Sequence, residues 1–349
     1  MQQQVLQAYG FNSDVVVQPF GTGLINHTWA VYNGKNKLIL QRINHKVFKS
    51  PEDIAANIRR IGKYLSEHHP GYLFVTPEQT LQQQDIVYLK GEGYYRLFPF
   101  IKGSHTIDVV HTATQAYEAA KQFGRFTRLL CDFPCEQLKV TLPDFHNLPL
   151  RYQQFEEAIR HGNRNRISEA TELIRFLQHH HHIVAVSAAI ENNPAFIKRV
   201  THHDTKISNV LFDENDKGLC VIDLDTVMPG YFISDAGDML RTYLSPVSEE
   251  ETDFSKIEIR KDYFKAIATG YLGEMGDVLS DAEKAHFVYA GKFMIYMQAL
   301  RFLTDYLNDD IYYGSKYEGH NLMRAKNQLV LLERLLAAEQ NLNKILLEI

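Results

Sequence analysis

Asp204 and Asn209 are the residues whose types and spacing most directly suggest chemistry, within Thr201-His202-His203-Asp204-Thr205-Lys206-Ile207-Ser208-Asn209. Val210-Leu211-Phe212 follows, and a second apolar run, Val221-Ile222, ends at Asp223-Leu224-Asp225. Moving a phosphoryl group onto an alcohol needs a carboxylate that orients the hydroxyl and takes its proton. It also needs oxygen ligands that hold Mg²⁺ on the phosphates of ATP. A loop running into a short strand can present Asp204 as the base and Asn209 as one metal ligand. Asp223, at the end of the next strand, can supply the other. Lys206 can offset charge on the transferred group. An isolated Asp-x-x-x-x-Asn is common, and turn-forming Asp and Asn at a hairpin give the same pattern. The preceding histidine, the apolar exit and the second strand ending in Asp make the phosphoryl-transfer reading specific.

Such a site needs a second wall for the nucleotide. Gly21-Thr22-Gly23 stands between two extended runs, where glycines let backbone N–H groups approach phosphate oxygens, although the same residues also make ordinary turns. A cation on the third strand would hold the α- and β-phosphates. Arg42, inside the apolar run Leu38–Ile43, is preferred over Lys37, which sits beside a turn. A dinucleotide fingerprint is excluded, because the third glycine is missing and a strand follows where a helix should. No Walker A sequence is present.

The elements that must position these residues divide the chain in two. Extended runs over 14–20 and 25–32, the turn Asn33-Gly34-Lys35-Asn36 and a third run over 38–43 predict a hairpin-led sheet. Pro51 opens a helix through Ile54, Ile58, Ile61 and Leu65. Short runs over 72–76, 85–90 and 93–98 complete an antiparallel sheet. From Thr106 the pattern is helical over 114–130, 150–159, 168–182, 281–307 and 318–347, interrupted by short β-like segments in 200–225. The expectation is an α+β protein of two lobes, residues 1–100 binding nucleotide and residues 101–349 carrying the catalytic loop and the substrate site.

Composition excludes several classes. The chain has 349 residues, 45% hydrophobic and 23% charged, enough for two ordinary cores. A net charge of −5 offers no general attraction for nucleic acid or anionic membrane. No apolar run approaches a membrane span, and the start MQQQVLQAYG is no signal peptide. Cys131, Cys135 and Cys220 match neither a disulfide framework nor a zinc site, which points to free thiols and a cytoplasmic protein.

The catalytic stretch and Ile222-Asp223 resemble the motifs of the aminoglycoside phosphotransferase and choline kinase superfamily, whose fold is protein-kinase-like. Within it the chain is similar to the N-acetylhexosamine 1-kinases. The similarity lies in Phe20-Gly21-Thr22-Gly23-Leu24-Ile25-Asn26-His27-Thr28, Leu40-Gln41-Arg42-Ile43-Asn44 with Val47-Phe48, and Thr141-Leu142-Pro143-Asp144-Phe145-His146. It continues through Asp223-Leu224-Asp225-Thr226-Val227-Met228-Pro229-Gly230 and Arg301-Phe302-Leu303-Thr304-Asp305-Tyr306-Leu307, nearly the whole chain. The resemblance implies Mg²⁺- and ATP-dependent phosphorylation of GlcNAc or GalNAc at the anomeric hydroxyl. Asp204 would activate that hydroxyl, Asn209 and Asp223 would hold Mg²⁺, and His27, Tyr243, Arg301 and Tyr312 would contact the sugar. A protein kinase would pair its strand cation with a Glu in the middle of the next helix. Here that position reads Ala56-Asn57-Ile58, leaving only Glu52 and Asp53 in the first turn.

Other features take structural readings. Adjacent residues of the run His179 to His182 fan around a helix, where only i,i+3 or i,i+4 pairs share a face. The run therefore reads as a solvated helix end and not a metal site. His202 buttresses the catalytic loop. Asp235 caps the next helix and braces that loop, while Asp225 either assists the metal or bounds a turn. Two competing functions share the machinery. A protein kinase is disfavoured because Asp223-Leu224-Asp225 is not Asp-Phe-Gly and no Ala-Pro-Glu follows. A non-catalytic nucleotide- or sugar-binding protein would lack Asp204, Asn209 or Asp223. A kinase of the same fold acting on another sugar, an amino alcohol or an aminoglycoside stays open.

Overall fold

The computed structural model describes residues 2–12, 14–21 and 25–349. Helix α1 (Gln2–Ala8), with no counterpart in the sequence reading, buries Val5 and Leu6 against one face of a sheet. Strands β1 (Val16–Pro19), β2 (His27–Asn33) and β3 (Asn36–Ile43) come first, and β2 and β3 meet at Gly34, whose φ of +59° suits glycine. Helix α2 (Pro51–His68) starts at the expected proline. Strands β4 (Val87–Leu89) and β5 (Gly93–Pro99) complete an antiparallel sheet of order β1-β2-β3-β5-β4. Residues 72–76, expected as a strand, are irregular; Tyr72 and Val75 pack instead into the larger core beside α2.

Strand side chains alternate between faces, so the register β3–β5 decides what reaches the active cleft. Leu40, Tyr95 and Leu97 belong to the core under α1, together with Leu38. Ile43 belongs to the core on the α2 side. Gln41 and its partner Arg96 share that second face, and Arg42 lies on the first.

After β5 the chain is mostly helical. It runs through α3 (Ala113–Leu129), α4 (Leu148–His161), α5 (Arg164–Glu169), α6 (Thr171–His179) and α7 (His182–Glu191). The single helix expected over 168–182 is therefore broken. The Thr171 hydroxyl donates to the carbonyls of Ile167 and Ser168 at the first break, and the histidine run spans the second. Strands β6 (Arg199–Thr201), β7 (Val210–Phe212), β8 (Gly218–Val221) and β9 (Met228–Gly230) pair as β6 with β9 and β7 with β8. Then come α8 (Phe232–Tyr243), α9 (Lys261–Met275), α10 (Asp281–Ala285), α11 (Phe287–Leu307) and α12 (His320–Leu346). Helix α11 is buried along nearly its full length because α4, α8 and α12 surround it. Gly237 permits the close approach of α8 and α11, since a Cβ there would collide with the Ala290 carbonyl. The result is a two-lobed kinase-like fold, an antiparallel sheet lobe followed by a helical lobe. Among the described residues no helix is long and apolar enough to cross a membrane, and all three cysteines are free.

Candidate active site

The catalytic loop begins where β6 ends, and β6 is pinned from outside. Arg199 donates to both carboxylate oxygens of buried Glu283, at 2.6 and 3.0 Å. Helix α8 supports the loop from beneath. Asp235 accepts the backbone N–H of His202 at 3.0 Å and of His203 at 2.7 Å. Asp238 accepts that of Thr205 at 2.9 Å, and Arg241 in turn holds Asp238. The expected brace is therefore present, but Asp235 lies within α8, after its first turn begins, and does not cap it. Tyr243, expected at the sugar, is 1% exposed and donates its hydroxyl to the Thr205 carbonyl at 2.5 Å, so it stands behind the loop. A helical tyrosine carries no sequence signal that separates these two positions.

His202 is fully buried; its Nε2 meets the Ile222 carbonyl at 2.9 Å and its Nδ1 accepts the Asp204 N–H at 3.4 Å. It therefore works as a neutral strut between the two motif segments. His203 has φ +68°, and its Nδ1 lies 3.3 Å from Nδ1 of His146. Burial lowers the pKa of all three imidazoles, that of His203 to about 3. An unfolded chain would protonate them near pH 6.5. Between the folded and unfolded values the unfolded state binds more protons, so stability is complete above about pH 6.5 and falls as pH drops. The expected slope is up to about 1.4 kcal/mol per excluded proton per pH unit. Urea unfolding at pH 7.5 and 5.5 measures it, and His203→Asn, which tolerates the left-handed backbone, should reduce the slope by about one proton.

Asp204 is half-buried. Lys206 Nζ lies 3.0 Å from its Oδ1, and Asn209 Nδ2 donates to its Oδ2 at 3.1 Å and to its carbonyl at 2.9 Å. Burial alone would raise its pKa; Lys206, His202 and the hydrogen bonds from Lys206 and Asn209 outweigh that and hold it below the usual carboxylate range. Asp204 is thus an ionised acceptor. With Nδ2 committed to Asp204, the amide oxygen of Asn209 is left without a partner among the described residues. The Ile222 N–H donates to the Asn209 carbonyl at 2.8 Å, which ties this loop to the strand leading to Asp223.

Asp223 has a left-handed backbone, φ +59° and ψ +61°. Its carboxylate opens to the cleft and accepts no hydrogen bond from the described residues. Loss of solvation between the cleft walls, then the charges of Asp225 and Asp204, push its pKa up to about 7 against Arg96 and Lys206. The Asn209 amide oxygen and the Asp223 carboxylate, on segments joined by the Ile222–Asn209 backbone bond, are hard oxygen donors of the kind a divalent cation such as Mg²⁺ takes.

The facing lobe departs from the sequence reading. Arg42 points to the α1 face, 3.8 Å from Glu92, and does not face the carboxylates. The cation on the carboxylate side is Arg96 of β5, 1% exposed, with Nη1 2.5 Å from Asp225 Oδ1 and with Nε and Nη2 donating to Gln41. Lys37 lies over the rings of Phe20 and Phe100 at 4.2 and 3.9 Å. Asp225 also accepts from Asn26 Nδ2 at 2.8 Å. Gly21 has φ +77°, while Thr22 and Gly23 lie outside the described residues. His27 pairs with Arg42 across the strands and shares its face, away from the cleft, beside Trp29.

On the helical side the charge of Arg301 helps lower the His146 pKa, and His146 lies 3.3 Å from His203. Its guanidinium lies 5.7, 6.0 and 5.5 Å from the rings of Phe145, Tyr312 and Tyr313. Tyr312 is 73% exposed, and Asp305 fixes its strand of loop by accepting the N–H groups of Tyr312 and Tyr313. Arg301 and Tyr312 are thus neighbours, His27 lies on the α1 face and Tyr243 stands behind the 202–209 loop.

Fold and site together define a kinase-like phosphotransferase. The model of the phosphotransferase enzyme family, APH, matches residues 16–267, and the chain belongs to that family. Its fold is shared with a microcompartment-associated aminopropanol kinase, 15% identical over 97% of both chains with a TM-score of 0.63. A spectinomycin phosphotransferase bound to ADP and spectinomycin is 15% identical, covering 97% of this chain and 98% of that one, with a TM-score of 0.60. An aminoglycoside phosphotransferase from Alicyclobacillus acidocaldarius is 13% identical, covering 99% and 96%, with a TM-score of 0.64.

Proposed function

We propose that this protein is an ATP- and Mg²⁺-dependent kinase that phosphorylates the anomeric hydroxyl of an N-acetylhexosamine, GlcNAc or GalNAc. Residues 1–100 form the nucleotide lobe and 101–349 the substrate lobe. Adenine lies near Phe98–Ile101 and the phosphates lie between the 21–23 loop and Asp223. Asp204 orients the sugar hydroxyl and accepts its proton as the oxygen attacks the terminal phosphorus of ATP. ADP leaves and the sugar 1-phosphate forms. Asn209 and Asp223 would hold Mg²⁺, which supplies charge neutralisation on the phosphates. Lys206 keeps Asp204 ionised and stands beside the transferred group.

The observation that carries the acceptor reading is Arg301. Among the described residues it has no carboxylate partner, and aromatic rings surround it. The neighbouring acids are already engaged: Asp305 accepts backbone N–H groups, and Glu249 pairs with Arg241 and Arg324. A positively charged amino alcohol or aminoglycoside would meet an arginine there. A neutral amino sugar would instead offer its acetamido carbonyl and ring face to a guanidinium and aromatic rings.

Initial rates of ADP formation with Mg-ATP over free sugars, amino alcohols and aminoglycosides test this directly. GlcNAc or GalNAc should be preferred, and turnover on an amino alcohol or aminoglycoside alone would overturn the acceptor. Arg301→Ala should raise the sugar KM by about 10–100-fold, the worth of one charged hydrogen bond, with the ATP KM unchanged.

A further inference from the structure

Polar contacts from the sheet lobe reach two residues just beyond Asp223, Asp225 and Val227, with Thr226 between them. Asp225, 1% exposed, takes Arg96 from β5 at 2.5 Å and Asn26 at 2.8 Å. Thr226 donates its hydroxyl to the His202 carbonyl at 2.7 Å, joining the segment to the catalytic loop. The Val227 carbonyl accepts from Asn57 Nδ2 at 3.2 Å. Asn57 is itself 1% exposed in the middle of α2, where a protein kinase carries the glutamate that pairs with its strand cation. Asn57 also exchanges hydrogen bonds with the backbone of Lys139, both at 2.8 Å.

Among the described residues, then, no ion pair joins β3 to α2. Arg96 of β5, Asn26 ahead of β2 and Asn57 of α2 reach across to Asp225 and Val227 of the helical lobe. Arg96 is locked in place by two bonds to Gln41, which occupies the carboxylate-side position of β3. We propose that Arg96, Asn26 and Asn57 are positioning residues that clasp the 225–227 segment and so set Asp223 against the catalytic loop, in place of a strand–helix ion pair. The buried guanidinium–carboxylate pair gives the clasp its geometric specificity. The proposal rests on the phosphoryl-transfer reading for its catalytic consequence, though not for its structural one.

The test uses the full chain with Arg96→Gln, Asn26→Ala and the double variant Arg96→Gln/Asp225→Asn. The double variant removes both buried charges, so it remains folded where Arg96→Gln alone leaves Asp225 unpaired. In folded variants kcat/KM for ATP should fall on the order of 100-fold, while the acceptor KM, set in the other lobe, stays within about twofold. The double variant should be no worse than Arg96→Gln alone. Amide hydrogen exchange should rise in 223–227 and in β5 while α11 keeps its protection. A comparable rise in the acceptor KM, multiplying effects, or unchanged exchange in 223–227 would overturn the clasp. If the wild-type protein transfers no phosphate, the proposed function fails and the exchange comparison alone decides the clasp.

Discussion

Asp204→Asn should lower kcat by about 10²–10⁴-fold, the usual worth of a positioned general base, with nucleotide affinity nearly unchanged. Asparagine has the same shape and retains an oxygen for the Asn209 amide, which now donates to Asp204 at 3.1 Å. What it lacks is a site for the proton. Lys206, 3.0 Å from Asp204, would lose its partner, but it is half-exposed and solvent can take over. The loop itself should hold, because Asp235 and Asp238 grip its backbone and not the Asp204 side chain. Single-turnover rates with nucleotide binding measured separately make the check. A parallel loss of binding and rate would mean that Asp204 shapes the loop instead of taking the proton.

Asp223→Asn should reduce turnover on the order of 10³-fold or more, since a metal ligand governs several kcal/mol of charge stabilisation. The same change should leave the fold intact or raise its unfolding midpoint. Loss of solvation, and then the charges of Asp225 and Asp204, push the Asp223 pKa up to about 7, so a neutral side chain relieves a cost that the native protein carries. Activity lost with stability gained is the signature of a functional carboxylate. Raising Mg²⁺ should not restore the rate. Thermal melts alongside Mg²⁺ titrations of kcat decide it, and a destabilised variant with normal Mg²⁺ dependence would show Asp223 to be structural.

The catalytic stretch was legible because its chemistry demands particular residue types at short spacing, and local apolar runs place them. Asp204, Asn209 and Asp223 come together through the β7–β8 hairpin, itself readable from Val210-Leu211-Phe212 and Val221-Ile222. The strut role of His202 and the bracing role of Asp235 followed from the same local logic. The facing lobe was not legible, because its contribution depends on strand parity. A one-residue difference in register sends Arg42 to the α1 face and leaves the carboxylate side to Gln41 and Arg96. Arg96, Asn26 and Asn57 act across 129, 199 and 170 residues of sequence, respectively, to Asp225, Asp225 and Val227. Asn57 was visible only as the missing glutamate. Helix α9 was under-read, because its two faces differ little in apolar character.

Phosphorus NMR of the product formed from ATP, Mg²⁺ and GlcNAc or GalNAc identifies the hydroxyl that takes the phosphate. A sugar phosphate whose phosphorus couples to the anomeric proton should appear with ADP in equal amounts. A phosphorus coupled to the C6 protons, or ADP released with inorganic phosphate and no sugar ester, would contradict phosphorylation at the anomeric hydroxyl.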